Sequence, residues 1–135
     1  MSATLPQDEA YRFAVDRCPG YLHIAVRGEN SVANVRRVLR DVLQACGDHA
    51  RKRVLLEEHL TGPSLGTVEV FEIVAEGSHA AGSALEQIAY VDTNPEHDAS
   101  QLEFIETVAV NRGVKVRVFA SVAEAERWLA APLAE

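Results

Sequence analysis

The sequence has few of the residues that stabilise very small or secreted domains. Only two cysteines occur among its 135 residues, Cys18 and Cys46, and they form no CxxC pair. Aromatic residues make up 6% of the chain and hydrophobic residues 47%, so we expect an aliphatic core that needs no metal or disulfide. Two isolated cysteines are typical of an intracellular protein whose thiols stay reduced.

An excess of positive charge and long apolar runs are also absent. The 13 Lys and Arg residues are outnumbered by 20 Asp and Glu residues, which gives a formal net charge of −7. This charge disfavours nucleic acid and anionic membrane surfaces, because both bind largely through Lys and Arg. No stretch approaches the roughly 20 apolar residues of a membrane span, and residues 1–10 do not resemble a signal peptide. We therefore expect a cytoplasmic protein without a membrane span.

Two signatures of nucleotide chemistry on related α/β folds are missing. The sequence contains neither the GxGxxG dinucleotide fingerprint nor the GxxxxGK[ST] phosphate loop. Residues 27–29 do not supply the clustered acids of an aspartate phosphoacceptor site. We therefore expect a protein that is not an enzyme and that requires no cofactor.

The remaining chain alternates between strand and helix patterns. Residues 11–15 and 21–27 are predicted strands that form an antiparallel hairpin through the turn at Pro19 and Gly20. Continuous apolar runs predict buried parallel strands at residues 53–58 and 88–91, and alternation predicts a half-exposed edge strand at 114–118.

Four helices are predicted between and after these strands. Their start signals are Ser31, Ser64, either Asp98 or Ser100, and Ser121. The first helix is expected to stop at Gly47, and residues 65–76 are expected to be helical although several of them are β-branched. The order β-β-α-β-α-β-α-β-α predicts an α/β fold with a mixed, mostly parallel, five-stranded open sheet. We expect one domain at residues 11–131 between tails at 1–10 and 132–135.

Polar residues are expected at the carboxyl ends of the strands, where ligands bind in open sheets. Glu57, Glu58 and His59 are predicted to share one loop, and Asp92 and His97 are predicted on a neighbouring loop. Such a group could ligate a divalent metal or do acid–base chemistry. The spacing matches no HxxxH or HExxH pattern, so a solvated rim is the favoured interpretation, without metal ligands or catalytic residues.

Residues 61–66 form the most informative loop. If a helix begins at Leu65, Ser64 is its N-cap, where free N–H groups and the helix dipole favour negative charge. A phosphate on Ser64 would add about −1.5 to −2 charges to this surface. The alternative is that Ser64 is only a cap.

Three other side chains are given structural roles. His23 is expected to be a satisfied strand histidine, Trp128 is expected to anchor the last helix to the sheet, and Cys46 is expected in the core.

The C-terminal half resembles the SpoIIAA-like family, small bacterial domains related to the STAS fold of anti-sigma-factor antagonists. The resemblance is carried by FIET at residues 104–107, NRG at 111–113, VRVF at 116–119 and EAERWL at 124–129. It implies a STAS-like fold over about residues 11–129. In STAS antagonists a serine at the start of the second helix is phosphorylated, and residues 64–66 are similar to that stretch. The wider family is also similar to CRAL-TRIO lipid-binding domains.

The resemblance implies a non-enzymatic regulatory or protein-interaction module, with Ser64 as the phosphorylation candidate. The alternative is a carrier or sensor of a small apolar or lipid-like ligand, and homodimerisation is compatible with either. The expected ligand or partner surface comprises Glu58, His59, Thr61, Gly62, Leu65, Gly66, Asp92 and Asn94.

Overall fold

A single five-stranded sheet forms the centre of the molecule. The computed structural model describes residues 11–111 and 113–131. The strands lie in the order β1-β2-β3-β4-β5; β1 is antiparallel to β2, and the other pairs are parallel. Their bounds are β1 Arg12–Cys18, β2 Tyr21–Glu29, β3 Arg53–Thr61, β4 Gln87–Asp92 and β5 Lys115–Phe119.

Four helices complete the predicted order β-β-α-β-α-β-α-β-α, which is confirmed. They are α1 Val32–His49, α2 Thr67–Ala81, α3 Ala99–Asn111 and α4 Val122–Ala130. In the described part of the chain, no helix is both long enough and apolar enough to cross a bilayer. The predicted tails at 1–10 and 132–135 lie outside the described residues.

The helices are distributed unequally over the two faces of the sheet. We call the side covered by α1, α2 and α3 the three-helix face, and the side covered by α4 the single-helix face. The core of the three-helix face joins strand residues to residues of these helices: Leu22, Ile24, Val26, Val54, Leu56, Leu60, Val38, Val42, Ala81 and Ala109. The smaller core of the single-helix face contains Leu55, Ala89, Val91, Ala125 and Leu129. Trp128 packs on Phe119 at 5.4 Å between ring centroids, as expected for an anchor of α4.

Local signals explain where α1 begins but not where it ends. The Ser31 Oγ accepts a hydrogen bond from the Asn34 N–H at 3.1 Å, which confirms the predicted N-cap. The predicted stop at Gly47 is wrong, because the helix continues to His49 and Ala50 adopts the left-handed conformation with φ 53°. The Ala50 and Arg51 N–H groups then bond to the carbonyls of Gly47 and Cys46.

The β-branched segment after β3 is helical, as predicted, but α2 starts later and ends later than residues 65–76. Gly66 is the N-cap, and its N–H donates to the Glu69 Oε1 at 3.1 Å. Val70, Ile73 and Ala81 are buried on the three-helix face. At Gly77 an added Cβ would lie 2.7 Å from the Leu39 Cδ1, so this glycine permits the close approach of α2 to α1. Burial along α2 thus outweighs the strand preference of its valines.

Candidate functional site

The carboxyl ends of β2, β3 and β4 bring three loops together at one edge of the sheet. The side-chain amide of Asn30, after β2, donates to the Pro63 carbonyl at 2.8 Å. The amide of Asn94, after β4, donates to the carbonyls of Leu60 and Gly62 at 2.9 Å each. The predicted meeting of residues 61–66 with Asn94 is therefore present in the structure.

The prediction that Glu57, Glu58 and His59 share a loop is wrong, because β3 continues to Thr61. Side chains of a strand alternate between the two faces of the sheet, so Glu58 lies on the three-helix face while Glu57 and His59 lie on the single-helix face. This separation overturns the hypothesis of one metal or acid–base group made of Glu58, His59, Asp92 and His97. Among the described residues, no three His, Cys, Asp or Glu side chains are placed to hold a metal ion.

A cavity of about 100 Å³ lies between the three-helix face and its helices. Its walls are mostly apolar, and its polar end lies at the carboxyl edge of the strands. The apolar lining includes Val35, Leu39, Leu56, Val70, Ile73, Val74, Ile88 and Ile105, and the polar residues are Asn30, Glu58, Tyr90, Asp92, His97 and Gln101. A second apolar cavity of about 70 Å³ shares Leu39, Val74, Ile88 and Ile105 with the first. The two cavities therefore adjoin beneath α2.

Glu58 carries the most unusual carboxyl group of the cavity. The residue is 6% exposed, and its Oε1 accepts a hydrogen bond from the Tyr90 hydroxyl at 2.6 Å. Across residues 11–111 and 113–131, no hydrogen bond reaches its Oε2. Burial, reinforced by the nearby Asp92 charge, raises the Glu58 pKa to about 7, although Tyr90 and His97 act in the opposite direction. Glu58 therefore presents a free carboxyl oxygen at the polar end of an apolar cavity.

Asp92 and His97 form a buried pair beside Glu58. The His97 Nδ1 lies 2.5 Å from the Asp92 Oδ2, and these side chains are 7% and 2% exposed respectively. The Nε2 of His97 lies 3.2 Å from the Gly62 carbonyl oxygen and 3.2 Å from the Asn30 Nδ2. The imidazole therefore contacts all three loops, and these contacts fix its orientation.

Ser64 is not the N-cap of α2, so that prediction is wrong. Its Oγ accepts a hydrogen bond from the Asp98 N–H at 3.1 Å, immediately before α3. Residues 62–66 match the GxSxG spacing of a nucleophile elbow. The expectation of a non-enzymatic domain assumed that this motif is absent, and that assumption is wrong. An elbow needs a sharp, strained turn, whereas Ala50 is the only non-glycine residue with positive φ in the described ranges. The Ser64 Oγ bonds to the Asp98 N–H, and the ring nitrogens of His97 contact other groups. Ser64 and His97 therefore do not bond to each other, and this conformation contains no Ser–His–Asp relay.

The single-helix face carries a separate polar group around Glu57. Its Oε1 lies 2.8 Å from the His23 Nε2, and its Oε2 lies 2.8 Å from the His59 Nε2. Thr93 Oγ1 lies 3.0 Å from the other nitrogen of His59. Partial burial alone would raise the pKa of Glu57, but hydrogen bonds to His23 and His59 outweigh it and the net shift is downward. His23 is thus paired, in agreement with the structural role expected for it.

Three polar residues of the cavity were not predicted: Asn30 as a contact of His97, Tyr90 as a partner of Glu58, and Gln101, whose amide donates to the Leu65 carbonyl. A sequence signal existed for Tyr90. In the parallel register Leu56 pairs with Tyr90 and Glu58 with Asp92, so all four side chains lie on the three-helix face, as Val54 and Leu60 do. Strand alternation, continued to the carboxyl end of each strand, could have placed Tyr90 beside Glu58.

Comparison with known proteins supports the fold. No protein-family model and no curated protein sequence matches the chain. A crystal structure of an uncharacterised protein from the DUF3478 family of Shewanella loihica PV-4, described as having a SpoIIAA-like fold, is similar with a TM-score of 0.53. The two chains are 16% identical, and the alignment covers 96% of this chain and 99% of that one. The protein therefore has a SpoIIAA-like fold, which confirms the expected mixed, STAS-like architecture.

Proposed function

We propose that this protein is a non-enzymatic carrier or sensor of a small ligand that has an apolar body and one polar end. The observation that carries this proposal is the free Oε2 of buried Glu58 at the end of an apolar cavity. Ligand pockets are typically apolar with a few placed polar groups that fix the ligand's orientation. Among the described side chains, only the Arg51 Nε is fully buried without a hydrogen-bond partner, so the Glu58 Oε2 is open to the cavity and a ligand there could donate a hydrogen bond to it.

Ligand capture tests this proposal. The protein is incubated with a bacterial lipid and metabolite extract, and bound small molecules are detected by native mass spectrometry. Val74→Leu enlarges a side chain that lines both cavities, so we expect it to reduce capture several-fold. Val122→Leu is the matched control, because Val122 packs on the opposite face of the sheet. Equal capture by the wild type and both variants, with all three folded, would contradict binding in the cavity.

The non-enzymatic part of the proposal has its own test, since residues 62–66 match GxSxG. Hydrolysis of p-nitrophenyl butyrate is measured for the wild type, Ser64→Ala and His97→Gln. We expect no rate above that of buffer that depends on either side chain. A rate that both substitutions abolish would instead make the protein a serine esterase.

A protein-interaction module is the second candidate function, and the exposed surface of α2 favours it. Val68 is 71% exposed, and it follows the loop at residues 61–66 that was predicted to bind a partner. In this version phosphorylation of Ser64 regulates binding in the cytoplasm. Intact-mass analysis of the protein from its native cells would detect the phosphate.

Partner binding is compared in pull-downs with Ser64→Asp, Val68→Glu and the control Val110→Glu. Val110 is also an exposed valine, 53% exposed, but it lies on α3. We expect Val68→Glu to lose the partner and Val110→Glu to keep it. An unmodified Ser64 together with unchanged partners for Ser64→Asp would remove the phosphorylation switch.

A further inference from the structure

The hydrogen-bond donors at the polar end of the cavity are already used within the protein. The Tyr90 hydroxyl donates to the Glu58 Oε1. The Asn30 amide donates to the Pro63 carbonyl and lies 3.2 Å from the His97 Nε2, and the other nitrogen of His97 faces Asp92. The Gln101 amide, which also lines the cavity, donates to the Leu65 carbonyl at 2.8 Å. Each donor group of the lining in the described part of the chain therefore already has a partner, whereas the Oε2 of Glu58 accepts no hydrogen bond there.

From this inventory we propose that the polar end of the ligand is a hydrogen-bond donor without negative charge, an amine or a hydroxyl group, which binds the Glu58 Oε2. This inference rests on the proposed ligand-binding function and names the chemical class of the ligand. Fatty acids and phosphate esters would be excluded, although their apolar tails fit the same walls.

The charges around the cavity support this choice. Glu58 and Asp92 are two carboxyl groups at the same end, with His97 as the only basic side chain lining the cavity in the described part of the chain. No Lys or Arg lines it there, and anion sites in proteins normally use such residues. An anionic ligand would place a third negative group where charges are weakly screened. An ammonium group would instead pair with ionised Glu58, and a hydroxyl group would donate to it without a charge to desolvate.

The volume of the two adjoining cavities sets the size of the apolar part. They measure about 100 and about 70 Å³. An engineered apolar cavity of about 150 Å³ in another protein binds benzene, a molecule of six carbons. A six-carbon chain is therefore a suitable probe, with its head at Glu58 and its tail beneath α2.

The experiment compares three probes that share one tail: hexylamine, 1-hexanol and hexanoate. Each is titrated into the protein at pH 8, above the Glu58 pKa, while the methyl signals of Ile73, Val74 and Ile105 are followed by NMR. We expect hexylamine and 1-hexanol to shift these signals and to bind at least about tenfold more tightly than hexanoate, a difference of about 1.4 kcal/mol. Glu58→Gln removes the carboxylate with little change of shape, so the preference for hexylamine over hexanoate should fall to less than about threefold.

Glu57→Gln is the matched control, because it removes the same charge from the adjacent residue on the opposite face. It should leave the preference unchanged; an equal loss in both variants would make the effect one of net charge and overturn the proposal. Hexanoate binding as tightly as hexylamine in the wild type would also overturn it, while leaving the ligand-binding function intact. If none of the three probes shifts the cavity methyl signals, the proposed function fails and this inference fails with it.

Discussion

Glu57 and Glu58 are consecutive residues of β3, yet their carboxyl groups lie in opposite environments. Both oxygens of Glu57 contact histidines on the single-helix face, and its side chain is 21% exposed. Glu58 lies beneath three helices, is 6% exposed, and accepts one hydrogen bond from Tyr90. The pKa of Glu57 is lowered by its hydrogen bonds despite partial burial, whereas the pKa of Glu58 is raised by burial.

The difference shows how the unequal coverage of the sheet creates a site. One helix leaves the Glu57 side of β3 partly open to solvent, where a carboxylate and two histidines can pair without a ligand. Three helices bury most of the Glu58 side chain but leave a cavity beside its carboxyl group. Substitutions at neighbouring positions of β3 can therefore test the two faces of the sheet independently.

The largest effects on stability are expected for Leu55 and Leu56, the two residues that precede Glu57 and Glu58 in β3. Leu55 is 0% exposed in the core of the single-helix face, and Leu56, 3% exposed, lines the cavity. We expect Leu55→Ala to lower the free energy of unfolding by about 4 kcal/mol and Leu56→Ala by about 3 kcal/mol, because Leu56 already borders empty space. Urea unfolding measures both values.

These two variants should also differ in their response to 1-hexanol. Leu56→Ala enlarges the ligand cavity, so 1-hexanol should raise its melting temperature more than that of Leu55→Ala. An equal response of the two variants would contradict the location of the cavity on the three-helix face.

The next effect concerns the pH dependence of stability. The Glu58 pKa is raised from an ordinary 4.5 to about 7, so the folded state holds a proton that the unfolded chain releases over this range. Stability is therefore fully present below pH 4.5 and falls as the pH rises to 7, by up to about 3 kcal/mol at 1.36 kcal/mol per pKa unit.

Glu58→Gln should remove this loss, so the variant should be more stable than the wild type at pH 8 and similar to it at pH 4.5. Urea unfolding at pH 4.5, 6, 7 and 8 measures the difference. A parallel decline of the wild type and the variant would show that another group causes it.

The smallest effect is expected for Glu57→Gln. Because the Glu57 pKa is lowered in the folded state, its stabilising contribution is present above its unfolded pKa and is lost as the pH falls through the folded pKa. We expect the variant to be less stable than the wild type by about 0.5–1 kcal/mol at pH 6, and the gap to narrow as the pH falls below the ordinary range of a carboxyl group. Chemical unfolding at pH 6 and at lower pH measures this change in stability, whose direction is opposite to the one expected for Glu58. A gap that widens in acid would contradict the pairing of Glu57 with His23 and His59.

Most of the fold follows from local patterns. The hairpin turn, the N-caps Ser31 and Ser121, the apolar runs of β3 and β4 and the alternating β5 were all correctly predicted, because each depends on residues close in sequence. The boundaries were less accurate where tertiary contacts decide them. β3 runs to Thr61 because its last three residues pair with β2, where Glu29 lies opposite Thr61. α2 continues to Ala81 because its last turn packs in the core.

The candidate site was predicted only as a set of residues near one edge. Glu58, Asp92 and Asn94 were named, but Glu58 was placed with His59, from which strand alternation separates it. The predicted role of Ser64 as the cap of α2 failed, because five residues separate Thr61 from the start of the helix and Gly66 takes the cap position. Its Oγ instead bonds to Asp98, 34 residues further along the chain, a contact that no local pattern encodes.

The sequence by itself determined the class of fold, the order of its elements and the absence of nucleotide-binding motifs, because propensity, hydrophobic period and capping act over a few residues. Tertiary structure alone decided that one carboxyl group of β3 would be paired and its neighbour buried beside a cavity. Burial and unequal helix coverage depend on residues that are far apart in the chain, and these set the pKa of each group and the space left for a ligand.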